Sequence, residues 1–471
     1  MNVSAFLGGT GARALTALAA GIALWLVTPA AQAMTIERVV SPGGIEAWLV
    51  RDSALPLIAV EFAVLGSADQ DPPGKPGVAN MATSLLDEGA GPFDAAAFQN
   101  RLERKAIELS FRSGRDYLRG TLRTLKDNRD EAFDYLRLAL TEPRFDDAAV
   151  ERTRAQIMSR LQREAVSPND IASRIWWATA FPGHPYGQPV NGTVESLPSI
   201  TVDDLKSYTR RVLARDGLKI AVVGDIDAET VGTLLDRTFG ALPAKAKLQP
   251  VAYAIPQGLG RRIVTHLDVP QSVVNFGGPG IARNDPDFMA AYIINHILGG
   301  GSFSSRLYRE VREKRGLAYG VSDSLIWLNY ASLLLGSTAT RADATGQTID
   351  LIEQEIRRLA EEGPTEEEFV KAKTYLKGSF ALGLDTSNRI AGQLVQMQLD
   401  ELGIDYIERR PALIDAVTLD DAKRVAKRLL DPGLLVTVVG RPEGVSSTQG
   451  GVAASPSPAA AKPGQPPASR E

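Results

Sequence analysis

"SITVDDLKSYTRRVLARDGLKIAVVGDI" spans Ser199–Ile226, and "AVTLDDAKRVAKRLLDPGLLVTVVGRP" spans Ala416–Pro442. Each opens on Thr-x-Asp-Asp, which reads as a helix N-cap hydroxyl followed by acids in the first turn. Each continues with apolar residues at helical spacing and basic residues near the end. Each then turns into a short apolar strand that stops at Gly224 or Gly440. The same unit twice, a domain length apart, marks an internal duplication. Fainter echoes keep the register. Phe98–Gly114 parallels Leu307–Asp323, and "FDDAAVERTRAQIMSRL" from Phe145 parallels "PTEEEFVKAKTYLKGSF" from Pro364.

The expected organisation follows from the duplication. Residues 34–243 and 251–442 form two similar halves, and 244–250 joins them in a Pro-, Ala- and Lys-rich linker. "LPLIAVEFAVLGS" and "QSVVNFGGPGI" read as strands, and "DNRDEAFDYLRLAL" and "DATGQTIDLIEQEIRRLAEEG" as helices. The fold class expected is α+β, two α/β-sandwich halves, each a mixed, mainly antiparallel sheet with helices on one face.

The 471 residues, 44% of them hydrophobic, are ample for large cores. The 52 basic and 56 acidic side chains are well mixed, which excludes a nucleic-acid stripe. The absence of cysteine excludes thiol nucleophiles, disulfides and cysteine-held zinc. The histidines are His184, His266 and His296, and no two stand at helix spacing. Residues 1–33 read as an export signal: Arg13, an apolar run from Ala14 to Val27, then "AQA" at Ala31–Ala33. The expected location is therefore periplasmic or extracellular, with no stable membrane span after cleavage; an uncleaved anchor is the alternative. Residues 443–471, rich in Gly, Ala, Ser and Pro, read as a disordered tail.

Standard sites are missing. There is no nucleophile elbow, phosphate loop or His-x-x-x-His pair. Two segments stand out. In "GVANMATSLLDEGAG", Gly77–Gly91, Val78, Met81, Ala82, Leu85 and Leu86 make one apolar helix face. Asn80, Thr83, Ser84 and Asp87 line the other. In "HILGGGSFSSRLYREVREKRGLAYGVSDSL", His296–Leu325, Gly299, Gly300 and Gly301 interrupt an apolar helix and allow close backbone approach. Ser302 or Ser304 can cap the next helix, and Gly316 ends it. Arg312 and Tyr319 can then converge across that end, although a solvated Arg and a half-buried Tyr fit the residues as well.

These segments, with "GSADQDPPGKPGVAN", "HPYGQPVNGTVESL", "VVGDID" and "VTVVG", resemble the insulinase/pitrilysin superfamily of zinc peptidases over nearly the whole chain after residue 36. The nearest likeness is to the short bacterial members and the mitochondrial processing peptidase. Active members carry His-x-x-Glu-His in the first half, two zinc ligands and a general base, with a third ligand on a later helix. By position the motif becomes Asn80, Thr83 and Ser84, and the later ligand and an acid seven residues before it become Arg160 and Thr153. Amide, hydroxyl and guanidinium groups make a poor zinc site, so no metal and no cofactor is expected in this chain.

The resemblance further implies that Arg312 and Tyr319 hold the substrate backbone and stabilise charge on the attacked carbonyl. It implies that Gly299–Gly301 help to receive the peptide. The expected function is that of the zinc-free subunit of a heterodimeric metalloendopeptidase. A homologous partner with His-x-x-Glu-His would supply zinc and base, and this chain half of a peptide-enclosing chamber. A lone peptide-binding pseudo-peptidase and a structural core-like subunit are the alternatives. Asp87 and Glu88 are candidates to pair with Arg160.

Overall fold

The computed structural model describes residues 34–448. The export-signal segment 1–33 and the tail from 449 lie outside the described residues. No helix among the described residues is long and apolar enough to cross a membrane.

The first half contains strands β1 (Ile36–Val40), β2 (Glu46–Arg51), β3 (Leu57–Leu65), β4 (Glu108–Ser113), β5 (Tyr117–Leu125) and β6 (Lys219–Gly224). Its helices are α1 (Val78–Thr83), α2 (Ala95–Arg104), α3 (Arg129–Thr141), α4 (Asp147–Glu164), α5 (Pro168–Ala180), α6 (Val202–Val212) and α7 (Ala228–Phe239). The second half contains β7 (Arg262–His266), β8 (Gln271–Pro279), β9 (Ala318–Leu328), β10 (Ala331–Arg341) and β11 (Leu435–Gly440). Its helices are α8 (Phe288–Asn295), α9 (Thr345–Glu362), α10 (Glu366–Leu382), α11 (Ser387–Leu399), α12 (Tyr406–Asp415) and α13 (Leu419–Leu430).

The duplication is visible in the strand orders. The first sheet runs β1-β2-β6-β3-β5-β4 and the second β7-β11-β8-β10-β9. In each, the last strand in sequence inserts beside an early one. It pairs parallel with β2 or β7 and antiparallel with β3 or β8. Both copies of the opening motif form a helix with a full capping box, Thr201 with Asp204 and Thr418 with Asp421. A cross-strand pair repeats as well. Phe62 lies opposite Gly120, and Phe276 opposite Gly336. A Cβ on either glycine would stand 2.2 or 2.3 Å from the ring carbon it faces. Each ring therefore lies over its glycine, and no other residue fits there.

The halves are clasped by an exchange of helices. The main core of the first half lies between its sheet and its own helices. The other face of that sheet, with Trp48, Val50, Ala63, Ala221 and Val223, is covered by Ala391, Leu394, Val395 and Met397 of α11, from the second half. Gln398 Nε2 donates to the Ile220 carbonyl at 2.8 Å. Reciprocally, α5 of the first half covers β8 and β11. Trp176 Nε1 donates to the Leu435 carbonyl at 3.1 Å, and Thr437 Oγ1 to the Ala172 carbonyl at 3.0 Å. Apolar cover on both faces explains why β3 reads LIAVEFAVL, with little alternation.

The linker is extended and pinned. Gln249 exchanges hydrogen bonds with the Gln70 side chain, and Ala254 N–H donates to the Tyr330 carbonyl. Residues 443–448, counted with the tail in the sequence reading, lie along β7. Thr448 N–H donates to the Arg262 carbonyl at 3.0 Å, and Val264 N–H to Ser447 Oγ at 3.0 Å.

Candidate functional site

Two places carry the predicted residues. The first is α1. Gly77 enters it with φ 100°, because its backbone packs on Gly192, whose Cα a Cβ would approach to 2.8 Å. The Asp71 carboxylate accepts the N–H groups of Gly77 and Ala79, both at 2.7 Å, and so caps the first turn. The helix is shorter than its apolar spacing predicts. It ends at Thr83, and Leu85, Leu86 and Glu88 continue in tight three-residue turns that keep both leucines in the core.

The polar stripe of α1 is not a solvated face. Asn80 is 8% and Thr83 1% exposed, under α4 and α6, and Thr153 of α4 is 3% exposed. Ser84 Oγ donates back to the Asn80 carbonyl at 2.8 Å. Arg160 Nε stands 3.7 Å from the Glu164 carboxylate, an ion pair within α4. Among the described residues, twelve buried side-chain polar atoms lack a hydrogen-bond partner. Six belong to Asn80, Thr83, Thr153, Arg160 and Tyr208, the last of these on α6 beside Thr83. The suggested pairing of Arg160 with Asp87 or Glu88 is not what forms. Glu88 is taken by Arg152 at 2.5 Å, two turns earlier in α4, while Arg160 is held by Glu164 four residues on in its own helix.

These residues do not fit a zinc ion. Hydroxyls, an amide and a guanidinium offer no anionic or imidazole ligand, and the positive charge of Arg160 opposes a dication. No group of three or more His, Asp or Glu among the described residues is placed to hold a metal.

The second place lies past α8. His296–Gly300 is wound as a π-turn and Tyr308–Glu313 as a second, a winding frequent at functional sites. The residue that starts the second segment is Ser305, not Ser302 or Ser304. Its backbone is extended, its carbonyl accepts from Arg309 N–H, and its Oγ accepts from Tyr308 N–H. Gly316, at φ 60°, ends it. Gly316 N–H donates to the Arg312 carbonyl, the 5→1 bond of an αL cap, and Leu317 N–H to that of Val311, both at 2.9 Å. The chain thus doubles back into β9. The register against β10 then slips between Thr338 and Thr340, a bulge opposite Tyr319 and Gly320. A bulge re-aims a side chain.

Reversal and bulge together bring Arg312 and Tyr319 onto one spot. The Arg312 guanidinium lies 4.6 Å from the Tyr319 ring centre and 4.9 Å from that of Tyr308. Arg312 Nη1 also contacts the Tyr308 hydroxyl. Tyr308 is buried, whereas Tyr319 is 85% exposed and so available to another molecule. Beside them, Gly301 N–H donates to the His296 carbonyl at 2.8 Å, and the His296 ring stacks on Tyr375 at 4.8 Å. His296 is a packed helix histidine, and burial lowers its pKa. Tyr308 joins the site without standing out in the sequence, where its one signal is its place four residues before Arg312. Asp323 is marked there only as an acid at an inward position between Val321 and Leu325.

Known proteins resemble this chain in sequence and fold. The family model described as Insulinase (Peptidase family M16) matches residues 59–194, and that of the Peptidase M16 inactive domain matches 199–376. An uncharacterized zinc protease of Streptomyces coelicolor is 27% identical over 418 residues, 86% of this chain and 90% of that protein. A Helicobacter pylori protein named a non-peptidase homolog is 28% identical over 334 residues, 70% of this chain and 77% of its own. The crystal structure of a peptidase M16 inactive domain from Pseudomonas fluorescens superposes with a TM-score of 0.81 at 26% identity, covering 88% of this chain and 99% of that one. A chain of complex III2 from Candida albicans shares the fold alone, with a TM-score of 0.70 at 16% identity over 87% and 97% of the two chains. With family models matching both halves, the chain belongs to the insulinase, or M16, peptidase family.

Proposed function

We propose that this chain is the zinc-free subunit of a two-chain metalloendopeptidase that cleaves peptides. The observation that carries the reading is an asymmetry. At the metal end, Asn80, Thr83, Ser84, Thr153 and Arg160 offer neither ligand nor base. At the other end, Arg312 and Tyr319 meet at 4.6 Å with the tyrosine exposed. A homologous partner carrying His-x-x-Glu-His supplies zinc and the base that activates its water. This chain supplies half the chamber wall, the Gly299–Gly301 turn that receives the peptide, and Arg312 and Tyr319 as donors to the attacked carbonyl. Its own residues orient the peptide and stabilise charge, and they abstract no proton. The reading puts the pair outside the cytoplasm, supported by the export-type pattern of residues 1–33.

The test mixes the chain with a zinc-motif homologue encoded beside it and follows hydrolysis of an unstructured, fluorescence-quenched peptide. Arg312→Ala is expected to slow the mixture by about 10²–10³-fold, the usual effect of removing one such donor. An unchanged rate overturns the assigned role. A second reading, a lone peptide-holding homologue, draws on the relative named a non-peptidase homolog. It predicts peptide binding without a partner and no gain in hydrolysis on mixing.

A further inference from the structure

The cations between Arg306 and Arg315 are not all held in the same way. Arg306 and Arg309 pair with Glu368 at 2.7 and 3.4 Å, and Lys314 and Arg315 pair with Glu310, both at 2.8 Å. Arg312 stands between them in the chain and, among the described residues, makes no ion pair; its polar contact is with the Tyr308 hydroxyl. A carboxylate would fix a guanidinium and also cancel its charge. An arginine that has to stabilise charge on another molecule needs the first effect without the second.

Tyr308 is placed to do that. It lies four residues before Arg312 in the same wound segment. A guanidinium carries donors only, so in the contact with Arg312 Nη1 the Tyr308 hydroxyl accepts. The centre of its ring is 4.9 Å from the guanidinium carbon, within reach of a cation–π attraction. Tyr308 is held in its turn: it is buried, and the Phe303 ring meets it edge-on at 5.0 Å. Of the two rings against Arg312, the buried one is therefore the anchor, and the exposed Tyr319 ring faces other molecules. A phenylalanine would fill the buried space as well, so it is the hydroxyl that needs a reason, and the group it touches is Arg312.

We propose that Tyr308 is the positioning residue of Arg312. Its hydroxyl and ring hold the guanidinium beside Tyr319 and leave the positive charge uncancelled for a peptide carbonyl. The carbonyl rests on the function proposed above; the holding of Arg312 does not.

The first experiment is nuclear magnetic resonance on the full chain with labelled arginine, without partner or peptide. The Arg312 side-chain signal is assigned as the one missing from Arg312→Ala, and rotation of its guanidinium about the Nε–Cζ bond is measured. Tyr308→Phe, which keeps the ring, is expected to speed that rotation by about tenfold, the effect of losing one hydrogen bond to a charged group. The ion-paired guanidinium of Arg306 is expected to rotate as in the wild type. An unchanged rate at Arg312 overturns the role of the hydroxyl. An equal rise at Arg306 would mean general loosening and overturns it too. The second experiment uses the mixture with the zinc-motif homologue. Tyr308→Phe is expected to lower kcat by about tenfold with KM unchanged, and to add nothing in an Arg312→Ala background. A wild-type kcat where Arg312→Ala is slow, or a full further loss in that background, overturns action through Arg312. An inert Arg312→Ala in the mixture counts against the two-subunit reading and leaves the guanidinium result standing. A failure in the partner-free experiment leaves the two-subunit reading standing.

Discussion

At the scale of single residues, the buried polar side of α1 includes groups that make no hydrogen bond within the described residues, among them Thr153 Oγ1 on the facing helix. A buried hydroxyl without a partner costs about 1–3 kcal/mol, and an apolar group of the same shape removes that cost. Thr153→Val is therefore expected to raise stability by about 1 kcal/mol in urea unfolding. A loss of stability would show that the hydroxyl is satisfied in solution. Only the resemblance to zinc peptidases singled out Asn80, Thr83, Ser84, Thr153 and Arg160 in the sequence. The partner of Arg160 was not legible, because Glu88 and Glu164 are both acids within reach on paper. Helix geometry decided for the one four residues on.

At the scale of elements, the turn that brings Arg312 to Tyr319 could be read from Gly316 and the basic residues before it. The bulge opposite Tyr319 could not, since "LAYGV" carries no mark of where a register slips. The α1 helix shows the converse. Its apolar spacing runs through Leu86, yet tight turns serve the two leucines as well as a helix would, so periodicity overstates its length. The Phe–Gly pairs give a direct test of packing across strands. Gly120→Val forces a side chain into the Phe62 ring and is expected to cost about 3 kcal/mol in urea unfolding. Phe62→Leu in the same chain is expected to restore part of that loss. Additive losses in the double variant would mean that the ring and the glycine are not coupled.

At the scale of the whole molecule, acids buried near the seam between the halves set the pH response. Asp116 accepts from the Tyr186 hydroxyl at 2.5 Å and from Asn329 N–H, at the tip of the β9–β10 hairpin, at 2.9 Å. Burial raises its pKa, and raises that of Asp69 to about 6. Above about pH 4 the unfolded chain has lost protons that the folded chain keeps, so stability falls as pH rises from there through about 6 and then levels off. Glu310 and Glu368 act in the opposite sense. Burial would raise both, but Lys314 and Arg315 around the first and Arg306 beside the second outweigh it and hold each at about 2. Their contribution is lost only as pH falls below the ordinary glutamate range. The melting temperature is expected to peak between about pH 4 and 5 and decline toward about 6, with Asp69→Asn flattening the decline. A steady climb from about pH 5 to 7 would show that both seam acids ionise freely in the folded chain.

The duplication itself was legible, because capped helix and strand recur in order. The exchange of α5 and α11 was not, since a repeat does not say which copy of a helix covers which copy of a sheet. It predicts one cooperative calorimetric transition for the full chain, and exposed apolar surface, read by a hydrophobic dye, when residues 34–243 are made alone. Two separate transitions would show that the halves stand independently. The exchange also sets a timetable. During synthesis the last strand of the first sheet, β6, is made long before α11, so one face built around Trp48 and Val223 stays bare while most of the second half is still to come. This chain cannot finish its beginning until it has nearly reached its end, and a nascent copy has to be kept from others for all of that interval.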